Sequence, residues 1–247
     1  MEEILGKISS VESMGLVDGP GIRYVVFLQG CQLRCKYCHN PETWNMSKAN
    51  ELISPKGLIE RIERFKPYFD GKGGVTFSGG EPLLQPLFLL ECLKLCKVRG
   101  INTALDTSGV GIADEKTAEE ILDNCDLIIL DIKAVEESDY KSLTGQNMNR
   151  FNVFLEKTQQ KGSKLWLRQV IVPNLNDNEE NIQKLAEFIR PIKNVERIEL
   201  LPYKNLGEIK YKNLGIKYPL EGLENMDEVR CKKLEDKLHL LLGREPN

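Results

Sequence analysis

The chain has 247 residues, of which 41% are hydrophobic and 29% are charged, and its formal net charge is -3 at pH 7. This composition is typical of a globular protein with a sizeable core, and it argues against a strongly basic nucleic-acid-binding surface. No apolar run approaches the roughly 20 residues of a membrane-spanning helix, and the first residues lack the apolar core of a signal peptide. We therefore expect a cytoplasmic protein that binds neither nucleic acid nor membrane.

The pattern of apolar residues predicts strands and helices in alternation. Residues 1–21 form an approach segment that ends in the turn Val17-Asp18-Gly19-Pro20-Gly21, and residues 22–28, rich in β-branched and aromatic side chains, predict the first strand. In chain order, we then predict helix 54–65, strand 75–78, helix 87–98, strand 101–105, helix 114–122, strand 127–130, helices 136–143 and 150–160, strand 164–172, helix 179–189 and strand 197–201.

The last part of the chain is an irregular loop followed by a helix. We expect the loop over residues 203–225 and an amphipathic helix from about 227 to 242. The apolar side of this helix would carry Val229, Leu234, Leu238 and Leu241.

Six alternations of strand and helix favour parallel βαβ units, and therefore the α/β class. Alternation alone leaves open whether the strands form an open doubly wound sheet or a curved, incomplete barrel. No long linker rich in Pro, Gly or Ser interrupts the chain, so we expect a single domain over residues 1–247.

Three cysteines follow the first predicted strand within the loop of residues 30–40. Cys31, Cys35 and Cys38 have C-x-x-x-C-x-x-C spacing, and three thiolates this close together can hold three corners of an iron–sulfur cluster. A fourth nearby cysteine is missing, which would leave one iron open to another ligand. The alternative is a closed metal centre in which His39 completes a Cys3His set.

The other cysteines are scattered in apolar or helical contexts, where a small buried residue is the simpler interpretation. They are Cys92, Cys96, Cys125 and Cys231.

Several polar or glycine-rich segments come directly after predicted strands. Besides the cysteine loop, they are Gly79-Gly80-Glu81-Pro82, Asp106-Thr107, Asp131-Ile132-Lys133 and Tyr203-Lys204. Each alone is explained by a turn or by a local ion pair. Together they indicate a site, because ligands of parallel α/β folds bind at the carboxyl ends of the strands.

These motifs resemble a known family. The cysteine spacing, with Tyr37 before Cys38, resembles the signature of the radical S-adenosylmethionine (SAM) superfamily, and Gly79-Gly80-Glu81-Pro82 resembles its Gly-Gly-Glu segment. The turn at 17–21 and Tyr37-Cys38-His39-Asn40 are similar to the glycyl-radical-enzyme activating enzymes of the pyruvate formate-lyase type. The absence of further cysteines between Cys38 and Gly79 fits that type.

The resemblance implies a partial (β/α)6 TIM-like barrel and specific cofactors. A [4Fe-4S] cluster would be held by Cys31, Cys35 and Cys38, with SAM on the open iron. Residues carried over as cofactor contacts are Tyr37, Cys38, His39, Gly79, Gly80, Asp131, Ile132, Lys133 and Arg168, and Asp106 and Thr107 would form a monovalent-cation site. The chain has Lys204 where family members carry a histidine, so that role is not carried over.

The resemblance also implies an activity and partners. Flavodoxin or ferredoxin would reduce the cluster, SAM would be cleaved, and the 5′-deoxyadenosyl radical would take a hydrogen atom from a glycine of pyruvate formate-lyase. The cofactors carry this chemistry, so no side chain is expected to act as acid, base or nucleophile. We expect a monomer. The alternatives are activation of another glycyl radical enzyme and radical chemistry on a small molecule.

Overall fold

A computed structural model describes residues 3–111 and 114–245, and the chain divides into two compact units, each described by itself. The first unit comprises Met1–Gln32, Glu42–Leu130 and Asn149–Leu165; the second comprises Leu33–Pro41, Asp131–Met148 and Trp166–Asn247. The expectation of a single domain stays a prediction.

Strands and helices alternate along most of the chain. The strands are β1 (Gly6–Gly15), β2 (Arg23–Leu28), β3 (Glu51–Ile53), β4 (Gly74–Gly79), β5 (Asn102–Thr107), β6 (Leu127–Asp131), β7 (Leu165–Ile171) and β8 (Val195–Pro202). The helices are α1 (Pro55–Glu63), α2 (Pro86–Val98), α3 (Glu115–Asn124), α4 (Glu137–Thr144), α5 (Asn149–Lys161), α6 (Glu179–Ile189), α7 (Glu208–Asn213) and α8 (Glu228–Leu241). No helix in the described part of the chain is long and apolar enough to cross a membrane.

The first unit is built on a sheet with the strand order β3-β1-β2-β4-β5-β6. β2, β4, β5 and β6 are parallel, whereas β1 is antiparallel to both of its neighbours. The side chains of the four parallel strands are buried along almost the whole length of each strand, as in Val25, Phe77 and Ile129. Such unbroken burial is typical of parallel strands covered on both faces, and it explains why the apolar runs predicted these strands.

The prediction that residues 1–21 form only an approach segment is wrong, because Gly6–Gly15 form the strand β1. β1 pairs with β2 and β3 over Gly6–Gly15. Its second half is largely exposed and polar, from Ser10 to Glu12. Backbone pairing with β2 holds this strand, so its side chains carry little hydrophobic pattern.

Helices of the first unit begin where local chemistry predicts. The hydroxyl of Ser54 caps α1 by accepting from Gly57 N, and a proline occupies the first helical position. Leu58, Ile59 and Ile62 are fully buried, so the helical stripe faces the core.

The second unit contains β7, β8, α4, α6, α7 and α8, and α8 packs against β8 and α6. The segment 203–225, predicted to be irregular, includes the short helix α7 and a buried tyrosine cluster, in which the hydroxyls of Tyr203 and Tyr218 lie 2.7 Å apart. The apolar side of α8 differs in part from the prediction. Leu234 and Leu238 are buried, but Val229 is exposed, and Cys231 takes its place in the core.

Candidate cluster and cofactor site

One edge of the first unit gathers four of the predicted cofactor contacts. The register pairs Leu28 of β2 with Gly79 of β4, and β5 runs alongside β4 and ends at Thr107. Because the carboxyl ends of parallel strands meet at one edge, Gly79, Gly80, Asp106 and Thr107 come together there.

The two glycines are required by close backbone packing. A Cβ on Gly79, whose φ is +114°, would lie 2.3 Å from the amide nitrogen of Leu28. A Cβ on Gly80 would lie 2.2 Å from the carbonyl oxygen of Gly30. The backbone of this turn is also hydrogen-bonded to β2 and the residues after it, through Gly80 N to Leu28 O at 2.9 Å and Glu81 N to Gly30 O at 2.8 Å. Side chains are excluded, so only backbone groups are presented at this turn.

Glu81 ties the end of β4 to the end of β5. Its carboxylate is fully buried and accepts hydrogen bonds from Leu83 N, Thr107 Oγ1 and the amide and hydroxyl of Ser108. Burial raises the pKa of Glu81 to about 7, although these hydrogen bonds oppose the shift. The motif Gly79-Gly80-Glu81-Pro82 alone does not predict this role of Glu81. The signal in the sequence that could have indicated a role is a carboxylate that follows almost directly after a buried strand.

Asp106 and Thr107 point to different partners. The carboxylate of Asp106 accepts from Ser78 Oγ at 2.7 Å, whereas the hydroxyl of Thr107 donates to Glu81 at 2.6 Å and accepts from Gly109 N at 2.9 Å. Asp106 is half-buried and carries the negative charge that a cation site needs; Thr107 is held by its neighbours.

The start of the cysteine loop is fixed within the first unit. Gly30 N donates to Thr43 O at 2.6 Å, and Cys31 N donates to Trp44 O at 3.4 Å. Gly30 has a φ of +102°, and a Cβ there would lie 1.7 Å from the sulfur of Met46. Glycine is therefore needed on both conformational and steric grounds, and it sets the direction in which Cys31 leaves the sheet.

The rest of the loop belongs to the second unit, where it pairs with the end of α4. Arg34 N donates to Thr144 O at 2.8 Å, and Lys36 N donates to Leu143 O at 3.0 Å. Cys38 N donates to Cys35 O at 3.0 Å, closing a tight turn between the second and third cysteines.

The turn from Cys35 to Cys38 is a low-dielectric environment, because Cys35 and Tyr37 are buried. Burial raises the pKa of the Cys35 thiol to about 11, with the charge of Lys133 opposing the shift. Burial likewise raises the pKa of Tyr37, whose ring lies 5.7 Å from the ammonium of Lys133. A thiolate at Cys35 therefore needs a strong cationic partner such as iron, and metal binding would release the proton.

Three charged residues predicted to contact SAM lie together in the second unit. Asp131 accepts from Lys133 Nζ at 2.8 Å and from Arg168 Nε at 3.1 Å. Burial disfavours the charge of Asp131, but the two cations outweigh it and hold the pKa of this carboxyl below its ordinary value. Between Asp131 and Lys133, Ile132 N donates to Arg168 O at 2.7 Å, which fixes the backbone at the end of β6 beside β7.

The end of the cysteine loop is joined to the segment 203–225. His39 Nε2 lies 2.7 Å from the carbonyl oxygen of Lys204, and Lys210 Nζ donates to Asn40 Oδ1 at 2.8 Å. The ammonium of Lys204 is paired with the exposed Glu228 at 2.5 Å. Lys204 therefore contributes its backbone to the loop, whereas its side chain forms a surface ion pair.

No group of three Cys, His, Asp or Glu side chains in residues 3–111 and 114–245 has the arrangement of a metal site. Cys31 belongs to the first unit and Cys35 and Cys38 to the second. Ligation of a cluster by these three cysteines stays a prediction from their spacing and from the family.

The family model of the radical SAM superfamily matches residues 25–189, which span the cysteine loop and the strand ends described above. The chain therefore belongs to the radical SAM superfamily and is a radical SAM enzyme. Members of this superfamily use SAM and a [4Fe-4S] cluster, so these are the cofactors of this chain.

Curated relatives narrow the family. Over 240 residues the chain is 55% identical to the pyruvate formate-lyase-activating enzyme of Clostridium pasteurianum, covering 97% of this chain and 99% of that protein. It is 43% identical to the enzyme of the same name from Staphylococcus epidermidis, covering 92% of this chain and 93% of the relative. The chain is thus a member of the same family as these activating enzymes, as its motifs predicted.

Solved structures support the fold. A domain of a pyruvate-formate lyase-activating enzyme from Bacteroides vulgatus matches with a TM-score of 0.55 at 26% identity, covering 70% of this chain and 96% of that one. Methylornithine synthase matches with a TM-score of 0.65 at 13% identity, covering 92% of this chain and 64% of that one, and this likeness concerns the fold alone. The predicted α/β class with a mostly parallel sheet of the radical SAM type is confirmed.

Proposed function

We propose that this protein activates a glycyl radical enzyme, namely pyruvate formate-lyase, by abstracting a hydrogen atom from a glycine of that enzyme. The observation that carries the proposal is the 55% identity to an activating enzyme over 97% of this chain and 99% of the relative. When bound, the cluster and SAM supply an electron and a 5′-deoxyadenosyl radical that removes the glycine hydrogen.

The donor set of the loop fits the cluster. Cys31, Cys35 and Cys38 would hold three irons as thiolates, and the missing fourth cysteine leaves one iron for SAM. The turn from Cys35 to Cys38 is ordered by its own backbone hydrogen bond and by α4. The protein's contribution is to hold the thiols in place, and the buried position of Cys35 excludes water from one of them.

Residues of the first unit would bind the amino acid part of SAM. The packed turn at Gly79 and Gly80 would offer backbone carbonyl oxygens, which can accept hydrogen bonds from an ammonium group. Asp106 and Thr107 would hold a monovalent cation, with the Asp106 carboxylate supplying the charge. Glu81 supports this arrangement by fixing the position of Thr107.

Residues of the second unit would contact SAM through charge and ring surface. Asp131, Lys133 and Arg168 form one hydrogen-bonded group in which two cations contact one carboxylate, and the charges of these three side chains sum to a positive value that would attract an anionic group. Ile132 anchors this group through its backbone. The remaining contacts would be Tyr37 and His39, together with Cys38, on the turn itself.

No side chain needs to act as acid, base or nucleophile, because the reaction is carried by the cofactors. The electron donor would be flavodoxin or ferredoxin. We further propose that the protein is a cytoplasmic monomer with a single domain over residues 1–247.

The test is activation under strictly anaerobic conditions. Protein reconstituted with iron and sulfide is mixed with SAM, reductant and pyruvate formate-lyase, and the electron spin resonance doublet of a glycyl radical is expected on the partner. Cys31→Ala should lose the cluster and 5′-deoxyadenosine formation together, whereas Cys231→Ala, a buried cysteine of α8, should keep both. Formation of 5′-deoxyadenosine by Cys31→Ala would contradict the proposal. So would the absence of the glycyl radical doublet on pyruvate formate-lyase after incubation with the wild-type protein. If 5′-deoxyadenosine forms without any protein partner, in step with the loss of a hydrogen atom from an added small molecule, the small-molecule alternative is correct.

A further inference from the structure

Two buried glutamines of the first unit lie beside the cysteine loop, and the proposed function gives them no role. Gln29 follows β2 directly and precedes Gly30 and Cys31, whereas Gln85 stands immediately before α2. The two side chains are 3% and 9% exposed, respectively. A glutamine amide has two N–H donors and an acceptor oxygen, so its burial is favourable only where partners are supplied.

Gln29 connects the beginning of the cysteine loop to the segment that leads from the loop to β3. Its Nε2 donates to Glu42 O at 2.8 Å and to Asn45 O at 2.9 Å, so both N–H donors of the amide are engaged. The backbone bonds from Gly30 and Cys31 to the same segment lie directly beside these two contacts. The chain that leaves β2 is therefore fixed to the chain that returns.

Gln85 fixes the position of Gln29. Its Oε1 accepts from Lys7 N of β1 at 2.8 Å, and its Nε2 donates to Lys7 O and to Gln29 O, each at 2.9 Å. Gln29 N also donates to Lys7 O at 2.9 Å, and Lys7 Nζ donates to Met46 O at 2.9 Å. Gln85 lies in the same connection between β4 and α2 as Gly80, so this network joins the glycine turn to the start of the cysteine loop.

We propose that Gln29 and Gln85 are positioning residues for the cluster, which act by holding Cys31 at a fixed place relative to the turn at Gly79 and Gly80. This inference rests on the proposed function, in which Cys31 is a cluster ligand and the two glycines contact SAM. Neither glutamine needs to touch a cofactor. Groups that orient metal ligands through hydrogen bonds typically change metal affinity or activity by about 10–100-fold when they are removed.

A control is needed because any buried glutamine also stabilises the fold. Thr103 is 1% exposed, and its hydroxyl donates to Asp126 Oδ2 at 3.0 Å and accepts from Asp126 N at 3.1 Å. It lies at the amino end of β5, whereas the cysteine loop follows the carboxyl end of β2. Thr103→Val should therefore weaken the fold of the first unit without displacing Cys31.

The test compares wild type, Gln29→Met, Gln85→Met and Thr103→Val after anaerobic reconstitution with iron and sulfide. Methionine keeps an unbranched side chain but lacks the amide. Both glutamine variants should release iron to EDTA about tenfold faster than wild type. They should also shift the electron spin resonance spectrum of the reduced cluster, whereas Thr103→Val should match wild type in both measurements.

Hydrogen exchange of the cluster-free protein gives a measurement that does not depend on the cofactors. The amide of Gly30, which donates to Thr43 O, should exchange about tenfold faster in Gln29→Met than in wild type. A tenfold change corresponds to about 1.4 kcal/mol, which is the size expected when a hydrogen bond is lost beside this amide. The same amide should keep its wild-type exchange rate in Thr103→Val, relative to the global unfolding rate.

Three outcomes would overturn the inference. Wild-type iron release and wild-type spectra in both glutamine variants refute it and leave the proposed function intact, provided that wild type holds the cluster. Equal changes in Thr103→Val refute it as well, because they would follow from stability alone. A wild-type protein that takes up no cluster overturns the proposed function and this inference together.

A milder variant covers the case in which neither glutamine variant folds. Lys7→Met removes only the ammonium that donates to Met46 O and keeps the backbone bonds of Lys7. Iron release about threefold faster than wild type is then expected, and wild-type release refutes the inference.

Discussion

The buried carboxyl of Glu81 makes the stability of the protein depend on pH in a predictable direction. Its pKa is raised from the ordinary 4.5 to about 7 in the folded chain, chiefly by burial. Between these two values the folded state holds a proton that the unfolded state has lost. The contribution of Glu81 to the unfolding free energy is therefore fully present below pH 4.5 and is lost as the pH rises through about 7.

The size of the effect follows from the two pKa values. A difference of about 2.5 between 4.5 and about 7 corresponds to roughly 3 kcal/mol of unfolding free energy. Replacing Glu81 with Gln removes the titration, so this pH-dependent loss should disappear. At low pH the variant should itself be weaker by about 1–3 kcal/mol, because the introduced NH2 group faces donors such as Ser108 N.

The assay is urea unfolding of the reduced, cluster-free protein, followed by circular dichroism at several pH values between 4.5 and 8. Other carboxyls also titrate in this range, so the informative quantity is the difference between wild type and Glu81→Gln at each pH. Glu224→Gln is the control, since Glu224 is exposed. If wild type and Glu81→Gln change in parallel over the whole range, the assigned pKa and its burial-based cause are wrong.

Three further predictions concern the same region. Gly80→Ala should lower the unfolding free energy by roughly 1–3 kcal/mol in urea titrations, because its Cβ would lie 2.2 Å from Gly30 O; an unchanged midpoint would refute this. Lys133→Met should raise the pKa of Asp131, measured by carbon NMR of the labelled carboxyl, and weaken the fold near neutral pH by about 1–3 kcal/mol; a pKa that does not rise would contradict the pairing. Lys204→Ala should leave SAM affinity in equilibrium dialysis unchanged and alter stability by less than about 0.5 kcal/mol, since its ammonium is paired at the surface; a large loss of SAM affinity would show that this side chain reaches the cofactor.

Much of the fold could be predicted because the parallel strands are buried on both faces. The run Leu127 to Leu130 has no polar residue, and it forms β6. The strand β1 could not be predicted in this way. Its residues Ser10 to Glu12 are exposed, and what holds them is hydrogen bonding to β2, which leaves no periodic signal in the sequence.

The candidate site was predictable where chemistry leaves a short motif. The pattern of polar segments after strands correctly brought Gly79 and Gly80 to the same edge as Asp106 and Thr107. The role of Glu81 was missed because its partners are distant in sequence: Ser108 is 27 residues away. The surface pairing of Lys204 could not be predicted either, since it depends on the position of α8.

The pairing of the cysteine loop with α4 has a consequence for metal uptake. Arg34 N and Lys36 N donate hydrogen bonds to the carbonyls of Thr144 and Leu143, both of which belong to α4. Two of the three sulfur atoms are thus carried on a stretch of chain that is hydrogen-bonded to α4, and a chain restricted in this way should lose less conformational entropy when it binds a cluster. Oxidative loss of a cluster should accordingly leave the turn from Cys35 to Cys38 in place, because its hydrogen bonds come from the protein alone.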